Sequence, residues 1–257
     1  MIENKPIPLE KLPGTRHARL LTYPQTDTKQ EAVRIAELRN MGVSAIRFDG
    51  SSRIEGIPVL GKGCVGVVTQ AIVDGELVAL KIRRMDADRP SMMEEARLLR
   101  LANAVGVGPD LIGATRNFTV MKLFRGLPLF RWAEYLHPGK TTVKSTMANL
   151  LLACFRLDAV GLDHGELSHA PRNVLVSKGG RPCIVDFESA SMVRRVANVT
   201  SLLQYFLFGS ISKNLHISNM VASKKEVVKA LGAYKREGSV ENFQSVLRVL
   251  RLNESLL

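Results

Sequence analysis

Three glycines near residue 60 have a spacing that suits phosphate binding. Gly61, Gly63 and Gly66 fit the pattern G-x-G-x-x-G, and Val68 follows two positions later. Glycines allow backbone N–H groups to approach a polyphosphate without an intervening Cβ atom, and a valine at that position can cover a base. The valine-rich stretch after Gly66 predicts a strand, so this is not the strand-to-helix fingerprint of dinucleotide-binding proteins. The pattern indicates a phosphate-covering turn, with a plain hairpin turn as the alternative.

A lysine and a glutamate follow the glycines. Lys81 ends the predicted strand Val78–Lys81, fifteen residues after Gly66, and Glu95 comes fourteen residues later on a predicted helix. An ammonium group on a buried strand is costly without a partner, so a carboxylate on the next element would form an ion pair with it. A lysine held in this way can contact the phosphates of a nucleotide. The alternative is a solvated lysine on an edge strand and an unrelated surface glutamate.

Two carboxylates and a carboxamide occur in order in the second half of the chain. Glu166 and Asn173 lie within the stretch His164–Val176, and Asp186 follows the short apolar run Cys183–Val185. Phosphoryl transfer to a hydroxyl needs a carboxylate beside that hydroxyl, an amide oxygen for Mg²⁺, and a second carboxylate that links Mg²⁺ to the phosphates. These three residues have the required types in the required order.

With these motifs in this order, residues 55–208 resemble the protein-kinase-like superfamily. The sequence is most similar to its small atypical members: the RIO kinases, the small kinase of the tRNA-modifying complex, and a family of archaeal serine/threonine kinases. The resemblance implies an α+β fold with two lobes, a β-rich N-lobe at residues 55–124 and a reduced helical C-lobe at residues 125–257. Residues 1–54 would form a short strand-helix-strand appendage before the first lobe.

The resemblance also implies a role for each matching residue of the first half. Gly61, Gly63 and Gly66 would cover the phosphates of ATP. Lys81 would contact those phosphates, and Glu95 would orient Lys81. The adenine ring would lie among four apolar side chains, for which ordinary core packing is an equally good explanation. These four are Val68, Ala79, Met121 and Leu175.

In the second half, the resemblance implies that Asn173 and Asp186 hold Mg²⁺, that Glu166 stands in place of the catalytic aspartate, and that His164 braces the loop by hydrogen bonds. Glu166 comes seven residues before Asn173, where the kinase pattern has five. Asp-Phe-Glu at residues 186–188 replaces Asp-Phe-Gly, which removes the glycine that permits an activation-segment flip. Only 69 residues follow Glu188, without an Ala-Pro-Glu motif, so a full peptide-docking subdomain is not expected.

These motifs predict an ATP- and Mg²⁺-dependent phosphotransferase. The expected activity is that of an atypical serine/threonine protein kinase, acting on a protein hydroxyl, on itself, or as an ATPase switch. Two alternatives stay open. The same motifs resemble the aminoglycoside and choline phosphotransferases, although the short C-terminal region disfavours a small-molecule kinase. The Glu166 loop favours a pseudokinase, a nucleotide-binding module that docks RNA or protein.

The composition adds a positive charge and few aromatic residues. The 257 residues include 36 lysines and arginines against 24 acidic residues, a net charge of +12, which would attract RNA or other phosphate-rich partners. Aromatic residues make up only 5% of the chain, so a base-stacking platform is not expected. The three cysteines lack CxxC spacing, and no apolar run approaches a membrane span. These features predict a cytoplasmic protein without a disulfide framework or a membrane partner.

The elements that must position these residues follow from the apolar spacing. We expect a strand at Ala18–Tyr23, a helix from Thr28, and a hairpin between Ile57 and Lys81 around the turn Asp74–Gly75. Further elements are expected at Met92–Leu101 (helix), Phe118–Leu123 (strand), Thr141–Val160 (helix), Asn173–Val176 and Cys183–Asp186 (strands), and Leu202–Phe208, Lys225–Tyr234 and Glu241–Leu250 (helices). A mostly β first half thus precedes a mostly α second half.

Overall fold

A computed structural model describes residues 5–208 and 223–252. The chain divides into two compact units, one made of Met1–Arg100 with Pro109–Leu123 and the other of Leu101–Gly108 with Phe124–Leu257. Strands dominate the first unit and helices the second, which confirms the predicted α+β class. The expected segments 1–54 and 125–257 include residues 1–4, 209–222 and 253–257, which lie outside the described residues.

The first unit is built on an antiparallel sheet of seven strands. These strands are β1 (Ile7–Pro8), β2 (Val43–Arg47), β5 (Gly61–Lys62), β6 (Gly66–Val73), β7 (Glu76–Arg83), β8 (Leu111–Ala114) and β9 (Phe118–Lys122). Their spatial order is β1-β2-β6-β7-β9-β8, and β5 pairs with β6. A separate hairpin joins β3 (Ser52–Ile54) to β4 (Ile57–Val59). Two helices accompany the strands: α1 (Thr28–Asn40), and α2 (Met93–Ala104), which begins in this unit.

The hairpin of β6 and β7 turns at the predicted dipeptide. Asp74 and Gly75 both have positive φ, 50° and 80°, as the two central residues of a type I′ turn require. Val73 therefore pairs with Glu76. The turn fixes the register of the whole hairpin, which confirms this prediction and determines which residues face Lys81 across the sheet.

The prediction of a strand at Ala18–Tyr23 is wrong, because Ala18–Thr22 forms a 3₁₀ helix. Leu20 and Leu21 are consecutive in sequence and are 2% and 0% exposed, whereas side chains on a strand would alternate between two faces. Both pack in the same apolar core as the sheet. Since β1 and β2 belong to the main sheet as well, residues 5–54 are an integral part of the first unit.

Arg34 fastens α1 to the sheet. Its side chain is fully buried and donates to the carbonyl oxygen of Leu21, to the carbonyl oxygen of Arg83 at 2.7 Å, and to Oδ1 of Asn117 at 2.9 Å. Burial lowers the pKa of Arg34 to about 10, so the guanidinium keeps its charge at neutral pH. Glu37, one turn further along α1, accepts from the backbone and side-chain nitrogens of Asn117.

The second unit consists of helices around a small sheet. The helices are α3 (Leu129–Leu136), α4 (Lys140–Ala159), α5 (Ala170–Asn173), α6 (Asn198–Phe208), α7 (Lys224–Arg236) and α8 (Val240–Val249), and the strands are β10 (Leu127–Pro128), β11 (Val174–Val176) and β12 (Pro182–Ile184). Trp132 of α3, the only tryptophan of the chain, is 1% exposed. Phe155 of α4 stacks on Phe243 of α8 with ring centroids 4.4 Å apart. In the described parts of the chain, no helix is both long and apolar enough to cross a membrane.

Candidate active site

The glycine-rich segment forms a tight turn over the side chain of Lys81. The N–H of Gly63 donates to the carbonyl oxygen of Gly66 at 2.8 Å, which closes the turn between β5 and β6. A Cβ atom at position 66 would lie 3.1 Å from the carbonyl oxygen of Ile82 and 3.1 Å from side-chain carbons of Lys81. Glycine at this position therefore lets the backbone pass close above the lysine.

Lys81 and Glu95 form a buried ion pair. Lys81 Nζ lies 2.7 Å from Glu95 Oε1, and the two residues are 4% and 5% exposed. Lys81 is on β7, which lies between β6 and β9, so the alternative of a solvated lysine on an edge strand does not hold. Glu95 is in the first turn of α2. The ion pair expected from the spacing is thus present and excluded from water.

Three of the four apolar residues expected around adenine belong to the first unit, and they share one face of its sheet with Lys81. Val68 is the cross-strand partner of Lys81, and Met121 is the partner of Ala79. Ala79 and Lys81 are two positions apart on β7, so all four side chains are on the same face. The opposite face packs into the core of the unit. Leu175, the fourth apolar residue, is on β11 of the second unit and is half-buried.

Tyr23, in the N-terminal part of the first unit, contacts residues at the glycine-rich turn. The sequence did not indicate this contact. Lys62 Nζ donates to the hydroxyl of Tyr23 at 2.7 Å. The guanidinium of Arg84 lies 5.2 Å from the centre of the Tyr23 ring and donates to the carbonyl oxygen of Gly63 at 3.0 Å. The N–H of Met85 donates to the carbonyl oxygen of Tyr23 at 2.8 Å. The turn is therefore fixed at its first residues as well as at Gly66.

Glu166 is held by two hydrogen bonds in the second unit. Ser189 Oγ donates to Oε1 of Glu166 at 2.6 Å, and Asn173 Nδ2 donates to Oε2 at 3.0 Å. The hydrogen bond from Ser189, and after it the one from Asn173, lower the pKa of Glu166, while partial burial and the nearby carboxylate of Asp186 act in the opposite direction. Glu166 is therefore an ionised carboxylate at neutral pH. Ser189 was missed in the sequence, where its only signal is a hydroxyl three residues after Asp186.

The structure brings Glu166 and Asn173 together in spite of their seven-residue separation. The intervening residues form a 3₁₀ turn, Leu167–His169, followed directly by α5, Ala170–Asn173. Helical segments advance only about 1.5–2 Å per residue, whereas extended chain would place the two side chains far apart. The separation of seven residues is two more than in the kinase pattern, and the helical turns accommodate these two residues.

Asp186 has an unusual backbone conformation at the end of β12. Its φ and ψ are 67° and 76°, in the left-handed region that few non-glycine residues adopt. Such a conformation costs on the order of 1–3 kcal/mol and is concentrated at functional sites. Asp186 precedes the 3₁₀ turn Phe187–Ser189. The carboxylate of Asp186 and the amide oxygen of Asn173 are hard oxygen donors, the kind that Mg²⁺ prefers, and the amide nitrogen of Asn173 is already occupied by Glu166.

His164 braces the loop, as expected. Its side chain is fully buried, and Nε2 lies 3.1 Å from the carbonyl oxygen of Val185. A carbonyl only accepts, so Nε2 carries the proton; burial lowers the pKa of His164. The backbone N–H of His164 donates to Oδ1 of Asn198 at 2.8 Å. Asn198 is the first residue of α6, and this hydrogen bond links that helix to the loop.

An ion pair between Asp163 and Arg194 lies next to the loop that contains His164. Arg194 Nε donates to the carboxylate of Asp163 at 2.5 Å, and Arg194 Nη2 donates to the carbonyl oxygen of Ser189 at 2.9 Å. Gly165 has a φ of 87°, and a Cβ atom there would lie 2.3 Å from Arg194 Nη2 and 2.8 Å from the same carbonyl oxygen. Only glycine fits between the two segments, so Gly165 fixes the distance from Glu166 to the turn that carries Ser189.

Comparison with protein-family models found no match to this chain. Comparison with curated proteins found no match either.

Proposed function

We propose that the chain is an ATP- and Mg²⁺-dependent phosphotransferase of the protein-kinase-like superfamily that transfers a phosphoryl group to serine or threonine hydroxyls of proteins. The first unit would be the N-lobe of such a kinase and the second unit its C-lobe. One observation carries the proposal: the buried pair of Lys81 and Glu95 lies directly beneath the glycine-rich turn at Gly66.

This ion pair is difficult to explain as a stabilising device. Removing two charges from water costs several kcal/mol per ion, and well-packed apolar residues of similar size often stabilise a fold as much or more. A lysine whose charge is kept by a carboxylate, below a turn of glycines, is instead suited to contact phosphate oxygens. Val68, Ala79 and Met121 on the same sheet face would supply apolar contacts for a base.

The second unit would supply the groups at the reacting end. Asn173 and Asp186 would hold Mg²⁺, which when bound would offset negative charge on the phosphates. Glu166 would accept the proton of the attacking hydroxyl, because it is ionised and its two oxygens are fixed by Asn173 and Ser189. His164 and Gly165 would position Glu166 through the backbone on either side of it.

The test measures nucleotide binding and transfer in the same preparations. Full-length protein is incubated with γ-labelled ATP and Mg²⁺, with and without a mixture of serine- and threonine-containing proteins, and label is followed in protein and in free phosphate. We expect Lys81→Met to lose about 10²- to 10³-fold in transfer rate, the usual effect of removing one preorganised electrostatic group. Lys122→Met is the matched control, since Lys122, at the end of the neighbouring strand β9, forms an exposed ion pair with Asp110.

The alternatives give different results in the same assay. When aminoglycosides and choline are added as acceptors, a small-molecule kinase would label them but no protein. A pseudokinase would bind ATP without releasing or transferring label, and retention of RNA that weakens steeply with salt would then identify its partner. If the wild type does not bind ATP, or if Lys81→Met transfers as fast as Lys122→Met, the proposal is wrong.

A further inference from the structure

The hydroxyl of Ser189 occupies the position that an attacking hydroxyl needs. Its Oγ lies 2.6 Å from Oε1 of Glu166, and a general base must be within about 2.6–3.2 Å of the oxygen whose proton it accepts. The distance is typical of a hydrogen bond between a hydroxyl and an ionised carboxylate. In this structure, therefore, a serine of the chain itself is bound to the carboxylate that would activate an acceptor.

Ser189 is also close in the chain to Asp186, the residue proposed to hold Mg²⁺. Asp186 precedes the 3₁₀ turn Phe187–Ser189, which is closed by a hydrogen bond from Ala190 N to the carbonyl oxygen of Phe187. Only two residues of this compact turn, Phe187 and Glu188, separate Ser189 from Asp186. Arg194 Nη2 holds the carbonyl oxygen of Ser189 at 2.9 Å, so the turn is fixed at both ends.

The side chain of Ser189 is only partly buried. A hydroxyl that served the core alone would be excluded from solvent, whereas this one is partly accessible and lies beside the carboxylate of Glu166.

We propose that Ser189 is a phosphoryl acceptor of its own chain. This inference rests on the proposed function and names one substrate of it. Oγ of Ser189 forms a bond to the γ-phosphorus of ATP, and the bond from that phosphorus to the β–γ bridging oxygen breaks. ADP leaves with the electron pair of that bond, and the hydroxyl proton passes to the carboxylate of Glu166. The products are phosphoserine at position 189 and ADP.

The modification would change the surroundings of Glu166. A phosphoserine carries a charge of about −1.5 to −2 at neutral pH, so it repels the carboxylate that Ser189 now contacts. The guanidinium of Arg194, which already contacts the backbone of Ser189, is a cation within reach. The phosphorylated side chain therefore turns from Glu166 toward Arg194, and Glu166 becomes accessible to an acceptor from another molecule.

The experiment uses the full chain with ATP and Mg²⁺ and no added acceptor. Intact mass spectrometry counts the phosphoryl groups, and tandem mass spectrometry locates them. We expect wild type to gain one phosphoryl group at Ser189 and Ser189→Ala to gain none there. Ser189→Thr keeps the hydroxyl and should gain phosphothreonine at the same position. Ser191→Ala is the matched control, because the hydroxyl oxygen of this serine, two residues away, accepts hydrogen bonds from the backbone N–H groups of Val193 and Arg194 and has no contact with Glu166 among the described hydrogen bonds.

Two further measurements make the test specific. Because donor and acceptor belong to one chain, the fraction phosphorylated per minute should not change over an about tenfold range of protein concentration. Binding of a fluorescent ADP analogue to each variant shows whether it is folded and binds nucleotide. A rate that rises in proportion to protein concentration would refute transfer within one chain.

The outcomes separate this inference from the proposed function. If wild type binds nucleotide and labels added proteins but phosphoserine 189 does not form, the inference is wrong and the proposed function stands. Reduced labelling of added proteins by Ser189→Ala, without modification of Ser189 in wild type, would mean that the serine only positions Glu166, which also overturns the inference. If wild type neither binds ATP nor transfers phosphate, the proposed function fails and the inference fails with it.

Discussion

Breaking the ion pair of Lys81 and Glu95 should destabilise the first unit far more than removing both charges together. Each residue is at least nine-tenths buried and the two charged atoms are 2.7 Å apart. Glu95→Leu leaves a buried ammonium group without its carboxylate, a change that costs about 3–5 kcal/mol. Lys81→Met leaves a buried carboxylate. Either group left behind can become neutral by exchanging a proton, but at pH 7 a carboxylate is nearer to its ordinary pKa (about 4.3) than an ammonium group is to its own (about 10.4), so neutralising the carboxylate costs less. We therefore expect Glu95→Leu to be the worse of the two single variants.

The double variant Lys81→Met/Glu95→Leu should recover most of this loss, because neither member of the pair is left buried without the other and both side chains have similar volume to those they replace. The two substitutions should thus be coupled by about 2–3 kcal/mol in a double-mutant cycle. The exposed pair of Lys122 and Asp110 has the same N···O distance, 2.7 Å, with side chains 69% and 62% exposed. The same cycle on this pair separates the effect of burial from the effect of geometry, and it should give little coupling.

Amide hydrogen exchange of β7, measured at pH 7 with and without added salt, gives the free energy of opening of the first unit for every variant. Added salt should weaken the coupling of the exposed pair and leave that of the buried pair nearly unchanged. Equal coupling in the two pairs would refute the reasoning, because it would mean that Lys81 and Glu95 are solvated.

Three further predictions concern stability. Burial lowers the pKa of His164 below the ordinary 6.5, so on acidification the unfolded chain binds a proton before the folded chain does. The free energy of unfolding, measured by urea denaturation, should therefore fall as pH drops below 6.5, and His164→Gln should reduce this dependence on pH. Gly165→Ala should lower the free energy of unfolding by at least about 2 kcal/mol, because position 165 has a positive φ and no space for a Cβ atom. Gly139→Ala, with open space around it, should leave the free energy of unfolding nearly unchanged. Equal melting temperatures of the two variants would contradict this. Arg34→Met should cost about 3 kcal/mol because it removes a charged donor from the carbonyl oxygens of Leu21 and Arg83, while Asn117 Oδ1 keeps its hydrogen bonds from Arg83. The exposed Arg39→Met should leave the urea midpoint unchanged, and a similar midpoint for both variants would show that the two carbonyl oxygens find other donors.

Local sequence patterns predicted the elements well where the signal itself was local. The turn at Asp74–Gly75 needs positive φ at both positions, and its residue types indicated this directly. The helix beginning at Thr28 follows an aspartate, Asp27, that caps it. The apolar residues of Ala18–Thr22 were misleading, because a short apolar run does not show whether its side chains alternate or cluster.

Long-range pairing could not be read from the sequence. The residues of β2 pair with those of β6, with Val43 opposite Val73, and no local pattern specifies that neighbour. This pairing makes residues 5–54 part of the sheet of the first unit. The ion pair of Lys81 and Glu95 could be anticipated, since a lysine in a valine-rich strand needs a partner and the next helix offered one.

The site of the second unit was predictable in its residue types and not in its contacts. The residue types predicted roles for Glu166 and Asn173, but a separation of seven residues did not show that their side chains contact each other. Two helical turns shorten the path between them, and such turns depend on tertiary packing more than on the sequence of a few residues. Ser189 was overlooked because a single serine after Asp186 carries no distinguishing pattern until its hydroxyl is located.

The burial of Trp132 in α3 provides an intrinsic optical probe for one half of the molecule. Excitation of tryptophan alone reports on the second unit, while the first unit, which contains no tryptophan, contributes to the far-ultraviolet circular dichroism through its sheet. Emission that shifts to longer wavelength at the same urea concentration at which the dichroism is lost would identify one cooperative transition. A phase of the dichroism that occurs without a change in emission would belong to the first unit, and each unit would then have its own free energy of unfolding without labels or truncation.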